Sequence, residues 1–123
     1  VWGDGEQTRS FLYIEDCLDG MLKVFFSNSD QVYNVGSEEQ VSINQMIEKI
    51  EEISKYKVSK NHQLDKPLGV RGRSSNNDFI KQSLKWEPKI TLSEGLSKTY
   101  GWIEDQINSN TNIDKFSRSG IEK

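Results

Sequence analysis

Two arginine-bearing turns offer the chemistry that this chain could perform. Near its start stands Trp2-Gly3-Asp4-Gly5-Glu6-Gln7-Thr8-Arg9-Ser10-Phe11, and far downstream Gly69-Val70-Arg71-Gly72-Arg73-Ser74-Ser75-Asn76-Asn77. Each set of arginines leaves a glycine-containing turn, so Arg9 and Arg73 could converge on one anion. A guanidinium presents a planar fork of donors that engages phosphate oxygens in pairs, where lysine acts as a point charge. Gln7 and Thr8 add neutral donors and acceptors suited to hydroxyls or a ribose. A solvated or structurally paired Arg9 stays open on the same residues. Arg71 has a structural alternative too, since neighbours on an extended segment point opposite ways.

Composition bounds what such a cluster can serve. A chain of 123 residues is one domain or a large piece of one. Its 33% hydrophobic and 28% charged residues describe a soluble globular chain with a modest core. A net charge of -3 and a pI of about 5.2 argue against a nucleic-acid-coating protein, which needs a basic field over a whole face. Most lysines are interleaved with acids, so any bound anion must be held locally by Arg9, Arg71 and Arg73. No apolar run approaches the ~18 residues of a membrane span. The chain shows no charged n-region and apolar h-region ahead of a cleavage site, so secretion is not expected, and the single cysteine, Cys17, excludes an internal disulfide and fits a reducing compartment. A cytoplasmic location is therefore expected.

Positioning these residues falls to alternating strands and helices. Residues 8–13 read as a strand, followed by a helix whose Ile14, Leu18, Met21, Leu22 and Phe25 share one face. Residues 31–35 read as a second strand closed by Gly36. Ser42 and Gln45 form a capping-box pattern ahead of Ile43, Met46, Ile47, Ile50 and Ile53. Residues 58–64 are a third expected strand, and residues 66–69 a turn before the arginines. A short helix is expected over residues 77–84, capped by Ser75 or Asn76 and blocked by Pro88. Thr91 and Glu94 open the last helix, marked by Leu92, Leu96, Tyr100, Ile103 and Ile107. Residues 1–107 thus form the structured part, and residues 108–123 read as a polar, disordered tail. The order predicts an α/β architecture.

Several literal motifs do not carry function. Gly3-Asp4-Gly5 has Thr8 where a third glycine would stand and precedes a strand rather than a helix, so it reads as a turn. Tyr56-Lys57-Val58-Ser59-Lys60 matches Tyr-x-x-x-Lys, but the helical pattern ends at Ile53 and cannot stack the two side chains. Cys17 reads as a small buried hydrophobe within the first helix. His62 has no second ligand at metal spacing. Trp2, Trp86 and Trp102 read as core or interface anchors.

The chain resembles the C-terminal third of an extended short-chain dehydrogenase/reductase acting on nucleotide sugars, and within that superfamily is most similar to the GDP-mannose 3,5-epimerase family. The resemblance runs through Gln7-Thr8-Arg9-Ser10-Phe11, Tyr33-Asn34-Val35-Gly36-Ser37, Val41-Ser42-Ile43-Asn44, Gly69-Val70-Arg71-Gly72-Arg73, Leu84-x-Trp86-x-Pro88 and Leu92-x-Glu94-Gly95-Leu96. It implies a Rossmann-like fold, with the substrate-binding subdomain and the last helix and strand of the dinucleotide-binding domain. Gln7, Thr8, Arg9 and Arg73 would contact the nucleotide sugar, GDP-mannose or a relative, with the arginines near the diphosphate. NAD, the catalytic Tyr-x-x-x-Lys and the acid/base pair would belong to sequence outside this chain. That sequence would carry transient oxidation of a hexose hydroxyl and inversion at adjacent carbons, in a homodimer when full-length. UDP-sugar 4-epimerases, nucleotide-sugar dehydratases and a non-catalytic nucleotide-sugar-binding module are the alternatives. Two departures stand out: Asn76 replaces an aspartate, which leaves helix capping intact, and Lys85 replaces a glycine before Trp86, which weakens the expected helix stop.

Overall fold

The computed structural model describes residues 1–109. Its elements follow in the order β1 (Thr8–Ser10), α1 (Ile14–Phe26), β2 (Gln40–Ser42), α2 (Ile43–Ser54), β3 (Gly72–Arg73), α3 (Asp78–Leu84) and α4 (Leu92–Asn108). The three short strands form one sheet in the order β2-β1-β3. β1 runs antiparallel to β2, with Thr8 opposite Ser42 and Ser10 opposite Gln40. It runs parallel to β3, with Thr8 opposite Gly72 and Arg9 opposite Arg73. No helix among the described residues is long and apolar enough to cross a membrane.

Local chemistry sets the helix ends. The Ser42 hydroxyl accepts from the Gln45 N–H while the Gln45 side chain accepts from the Ser42 N–H, a reciprocal capping box at the start of α2. Thr91 caps α4 by accepting from the Glu94 N–H, whereas the Glu94 carboxylate pairs with Lys98 one turn on. Two consecutive acids brace the starts of α3 and α4: Glu38 accepts from the Asn77 N–H and Glu39 from the Leu92 N–H, both at 3.0 Å. Lys85 closes α3 in the left-handed conformation (φ 54°) that the absent glycine would have taken, its N–H bonded to the Lys81 carbonyl. The stop therefore survives the substitution, at the strain of a side chain with positive φ.

The buried apolar core is small: Val41, Ile80, Trp86 and Leu92. Asp16 reaches in from α1 and accepts from the Lys89 and Ile90 N–H groups at 3.0 and 2.8 Å, tying α1 to the segment between α3 and α4. Gly20 of α1 lies directly on Trp86 and Val35. Consequently α1 buries a polar and a small residue, Asp16 and Gly20, rather than its apolar face. Ile14, Leu18, Met21, Leu22, Phe25 and Phe26 are all more than half exposed. Cys17 is half-buried rather than fully packed, its thiol 3.9 Å from the Met21 sulfur.

Several expected elements differ. The first strand stops at Ser10 instead of Tyr13, because β2 begins at Gln40 and β3 ends at Arg73, leaving no backbone neighbour beyond. Residues 31–35 pair with no strand among the described residues; Val32 is 90% exposed, and Tyr33 instead stacks on Phe79. Of residues 58–64 only Gln63 makes a bridge, to Trp2. β2 and β3 were not anticipated, being too short to show an alternating pattern. The α3 cap is Asn77 rather than Ser75 or Asn76, and its amide turns away to the Gly36 carbonyl. Asn76 contributes instead by accepting from the Asp78 N–H. Asn108 belongs to α4, and the rest of the expected tail lies outside the described residues apart from Ser109, which caps it.

The α1–Trp86 contact gives a direct test. A Cβ at Gly20 would stand 2.6 Å from Val35 Cγ1 and 2.8 Å from Trp86 Cε2. Gly20→Ala should therefore lose about 1–3 kcal/mol through overpacking despite its better helix propensity. Denaturant unfolding checks this, and an unchanged or raised midpoint would contradict the packing.

Candidate anion-binding site

The site begins with two turns that glycine permits. Gly3 and Gly5 have φ of 73° and 75°, and Gly69 has 66°. The space that a side chain would take at Gly3 is filled by Leu68, and at Gly5 by Asn44. The first turn is thus packed against both the second turn and the start of α2. Asn44 completes the contact by donating to the Asp4 carbonyl at 2.9 Å and to Glu6.

Across the sheet the three arginines have different surroundings. Arg71 donates through Nη1 to both carboxylate oxygens of Asp4, at 3.0 and 2.9 Å. Its carbonyl accepts from the Thr8 N–H, which docks the second segment onto β1. Arg9 is half-buried and donates to the Thr8 and Leu68 carbonyls, the latter at 3.4 Å, so part of its guanidinium is oriented by backbone oxygens. Arg73 is exposed, and no described residue bonds its guanidinium. Arg9 and Arg73 occupy opposing positions on parallel strands, which places them on one face; Thr8 and Gly72 share the other. The open question about Arg71 resolves toward its ion pair with Asp4.

The remaining candidates are engaged differently. Gln7 is buried, its Nε2 donates to the Trp2 carbonyl, and its Oε1 meets no partner among the described residues. The Thr8 hydroxyl donates to Gln40 Oε1 at 2.8 Å. Gln40 Nε2 in turn donates to Ser74 Oγ at 3.0 Å. Sequence reading missed Asp4 and Gln40 as supports of the site. Asp4 stood inside the first motif, but its partner lies 67 positions away.

Asp4 carries the one electrostatic signature of this region. The Glu6 N–H and then the Arg71 guanidinium hold its carboxyl below the ordinary aspartate value. The ion pair is largely exposed on both sides and contributes little stability by itself.

Comparison with known proteins agrees with the resemblance in the sequence. Residues 1–99 match the family model described as GDP-mannose 4,6 dehydratase. The chain belongs to that family. It is 45% identical to GDP-mannose 3,5-epimerase of Arabidopsis thaliana over 107 residues, 87% of this chain and 28% of that protein. It is 31% identical to UDP-glucuronate 4-epimerase of Thermodesulfobacterium geofontis, covering 87% of this chain and 33% of that one. Among solved structures, UDP-glucose 4-epimerase of Thermotoga maritima with UDP-glucose superposes with a TM-score of 0.82 at 27% identity, covering 87% and 35%. UDP-glucuronic acid 4-epimerase of Bacillus cereus, solved with UDP-glucuronic acid and NAD, gives 0.78 at 31%, covering 85% and 34%. The α/β, Rossmann-like class of the short-chain dehydrogenase/reductases is therefore the fold class of this chain, which spans about a third of these relatives' length.

NAD is the cofactor expected of this family, and the turn at Gly3 and Gly5 does not fit its pyrophosphate. A dinucleotide turn needs glycines whose bare backbone faces the pyrophosphate ahead of a helix. Here Leu68 and Asn44 occupy that space, and a strand follows. Tyr56 and Lys60 do not share a helical face, since α2 ends at Ser54 with Lys55 left-handed, and Lys60 pairs with Glu48. His62 bonds Asn44, and no metal-binding cluster occurs among the described residues.

The Asp4–Arg71 pair predicts a titration. With its carboxyl depressed in the folded chain, whatever this group contributes is present above the unfolded aspartate value and is lost as pH falls through the lower folded value. A ¹³C carboxyl titration should place Asp4 below ordinary aspartates. Arg71→Ala should return it only part of the way, because the Glu6 N–H remains; no movement would remove the pair from the site.

Proposed function

We propose that this chain is the C-terminal, nucleotide-sugar-binding portion of an NAD-dependent sugar epimerase acting on GDP-mannose. Arg9 and Arg73 hold the diphosphate and Gln7 adds a further substrate contact, while Thr8, expected to touch the substrate as well, turns its hydroxyl to Gln40 on the opposite face and supports the arginines from there. The observation that carries the reading is the opposition of Arg9 and Arg73 on parallel strands, one guanidinium partly oriented by backbone carbonyls and the other exposed. Two guanidinium groups on one face suit a diphosphate, whose oxygens accept paired, charge-assisted hydrogen bonds. The 45% identity to an enzyme named for GDP-mannose supports the choice of substrate. Gln7 offers a buried carbonyl oxygen awaiting a donor, which suits a hydroxyl that reaches it.

The reading assigns NAD and the acid/base residues to the portion of the enzyme outside this chain. The chain alone then has substrate-binding groups without catalytic ones. A cytoplasmic enzyme, homodimeric when complete, fits this assignment. UDP-sugar 4-epimerase is the second reading, favoured by the superposition on a structure holding UDP-glucose. Nucleotide-sugar dehydratase follows from the family model's description.

Calorimetric titration with GDP-mannose and UDP-glucose side by side tests the proposal in the complete enzyme. Arg9→Ala and Arg73→Ala should each weaken binding by roughly 1.5–3 kcal/mol, the scale of a lost charge-assisted hydrogen bond. Arg71→Ala should cost less, since Asp4 already occupies its guanidinium. Unchanged affinity in both Arg9→Ala and Arg73→Ala would end the diphosphate assignment, and tighter UDP-glucose binding by the unmutated protein would favour the second reading.

A further inference from the structure

Arg73 sits on a segment held by a two-residue pairing with β1 and by polar contacts alone. Residues 69–74 are all exposed, so no apolar burial fixes them. Gly69 and Gly72 add backbone freedom, and β3 has only the two residues Gly72 and Arg73. A guanidinium on such a segment samples many positions unless polar contacts confine it. Upstream, the Thr8 N–H and the Asp4 carboxylate hold Arg71. Downstream, the Ser75 N–H reaches the Ser37 carbonyl at 3.2 Å. Between these points a single side chain spans all three strands. Gln40 of β2 accepts from Thr8 Oγ1 of β1 and donates to Ser74 Oγ just after β3.

Gly72 makes this span possible. A Cβ there would stand 2.8 Å from Thr8 Oγ1 and 3.6 Å from Gln40 Oε1, so the Thr8–Gln40 pair lies over bare backbone. Thr8 and Gly72 form the face opposite Arg9 and Arg73. The amide therefore straps the sheet from behind the arginines, on the face that they do not share.

We infer that Gln40 is a positioning residue for Arg73, acting through Thr8 and Ser74 without touching the ligand. The functional part of this inference rests on the proposed diphosphate site; the structural part does not. With the strap in place, the ligand need not order the segment on binding, which lowers the entropic cost of association. Without it, Arg73 keeps its charge but loses its placement.

Two variants test the inference in the full chain: Gln40→Ala, and Ser74→Ala, which cuts the same bond while leaving β2 untouched. NMR-detected hydrogen exchange should show the Thr8 and Ser75 amides, which flank the segment, exchanging about 5- to 10-fold faster in both variants, on the scale of lost side-chain hydrogen bonds. Unchanged protection of both amides in both variants would overturn the inference.

The second readout is GDP-mannose affinity in the complete enzyme. Gln40→Ala should weaken binding by about 5-fold when Arg73 is present and by nothing further in Arg73→Ala, since the two then act on one interaction. Equal losses in both backgrounds would show Gln40 acting independently of Arg73 and would overturn it as well. Should Arg73→Ala itself leave affinity unchanged, the diphosphate site falls, while the exchange result still decides whether Gln40 holds the segment.

Discussion

The parallel pairing of Gly72 and Arg73 with Thr8 and Arg9 is the constraint on which the arrangement of the arginines depends. It brings together residues more than sixty positions apart, and the register alone decides which side chains share a face. A slip of one residue would set Gly72 beside Arg9 and turn Arg73 to the opposite face. Register in so short a strand cannot come from a run of ladder hydrogen bonds. It comes from specific contacts on either side: Asp4 on Arg71, Leu68 packed over Gly3, and Gln40 reaching Ser74. Two of these are exposed polar contacts and one is an apolar packing contact, each of modest strength, and their value lies in selecting one geometry.

The rest of the chain stabilises this sheet with few apolar residues. Val41 belongs to β2, while Ile80, Trp86 and Leu92 come from α3, the following turn and α4. Trp86 is almost wholly buried, and its indole N–H meets no acceptor among the described residues. Charged groups do much of the joining: Asp16 binds the turn before α4, and Glu38 and Glu39 bind the starts of α3 and α4. The apolar face of α1, with Phe25 and Phe26 about three-quarters exposed, has no cover among the described residues. Contiguous apolar surface of this kind marks an interaction face. On the proposed function, the remainder of the enzyme covers it.

The helices were legible because their signals are local. Ser42 and Gln45 specify the start of α2 within four residues, and the apolar spacing from Leu92 to Ile107 specifies α4. The strands were not, because three-residue segments have no period to read and their pairing is set by distant partners. Residues 31–35 carry β-forming side chains, yet a strand exists only where another backbone receives its hydrogen bonds. Of the candidate site, the residue types at Gln7, Thr8, Arg9 and Arg73 were visible in the motifs. What distinguishes Arg71 from Arg73 was not: an aspartate from the opposite turn binds the first guanidinium, and no described residue bonds the second. Gln40 gave no signal at all, since it lies outside both motifs and acts through contacts 32 and 34 positions away.

The central claim is that Arg9 and Arg73 bind one diphosphate together. Arginine side-chain NMR, following the ¹⁵Nε–Hε resonances of the complete, isotopically labelled enzyme during titration with GDP, tests it most directly. The account predicts that the Arg9 and Arg73 signals shift along one saturation curve, with the Arg71 signal nearly fixed by Asp4. Saturable GDP binding that leaves the Arg9 and Arg73 signals unmoved would contradict it.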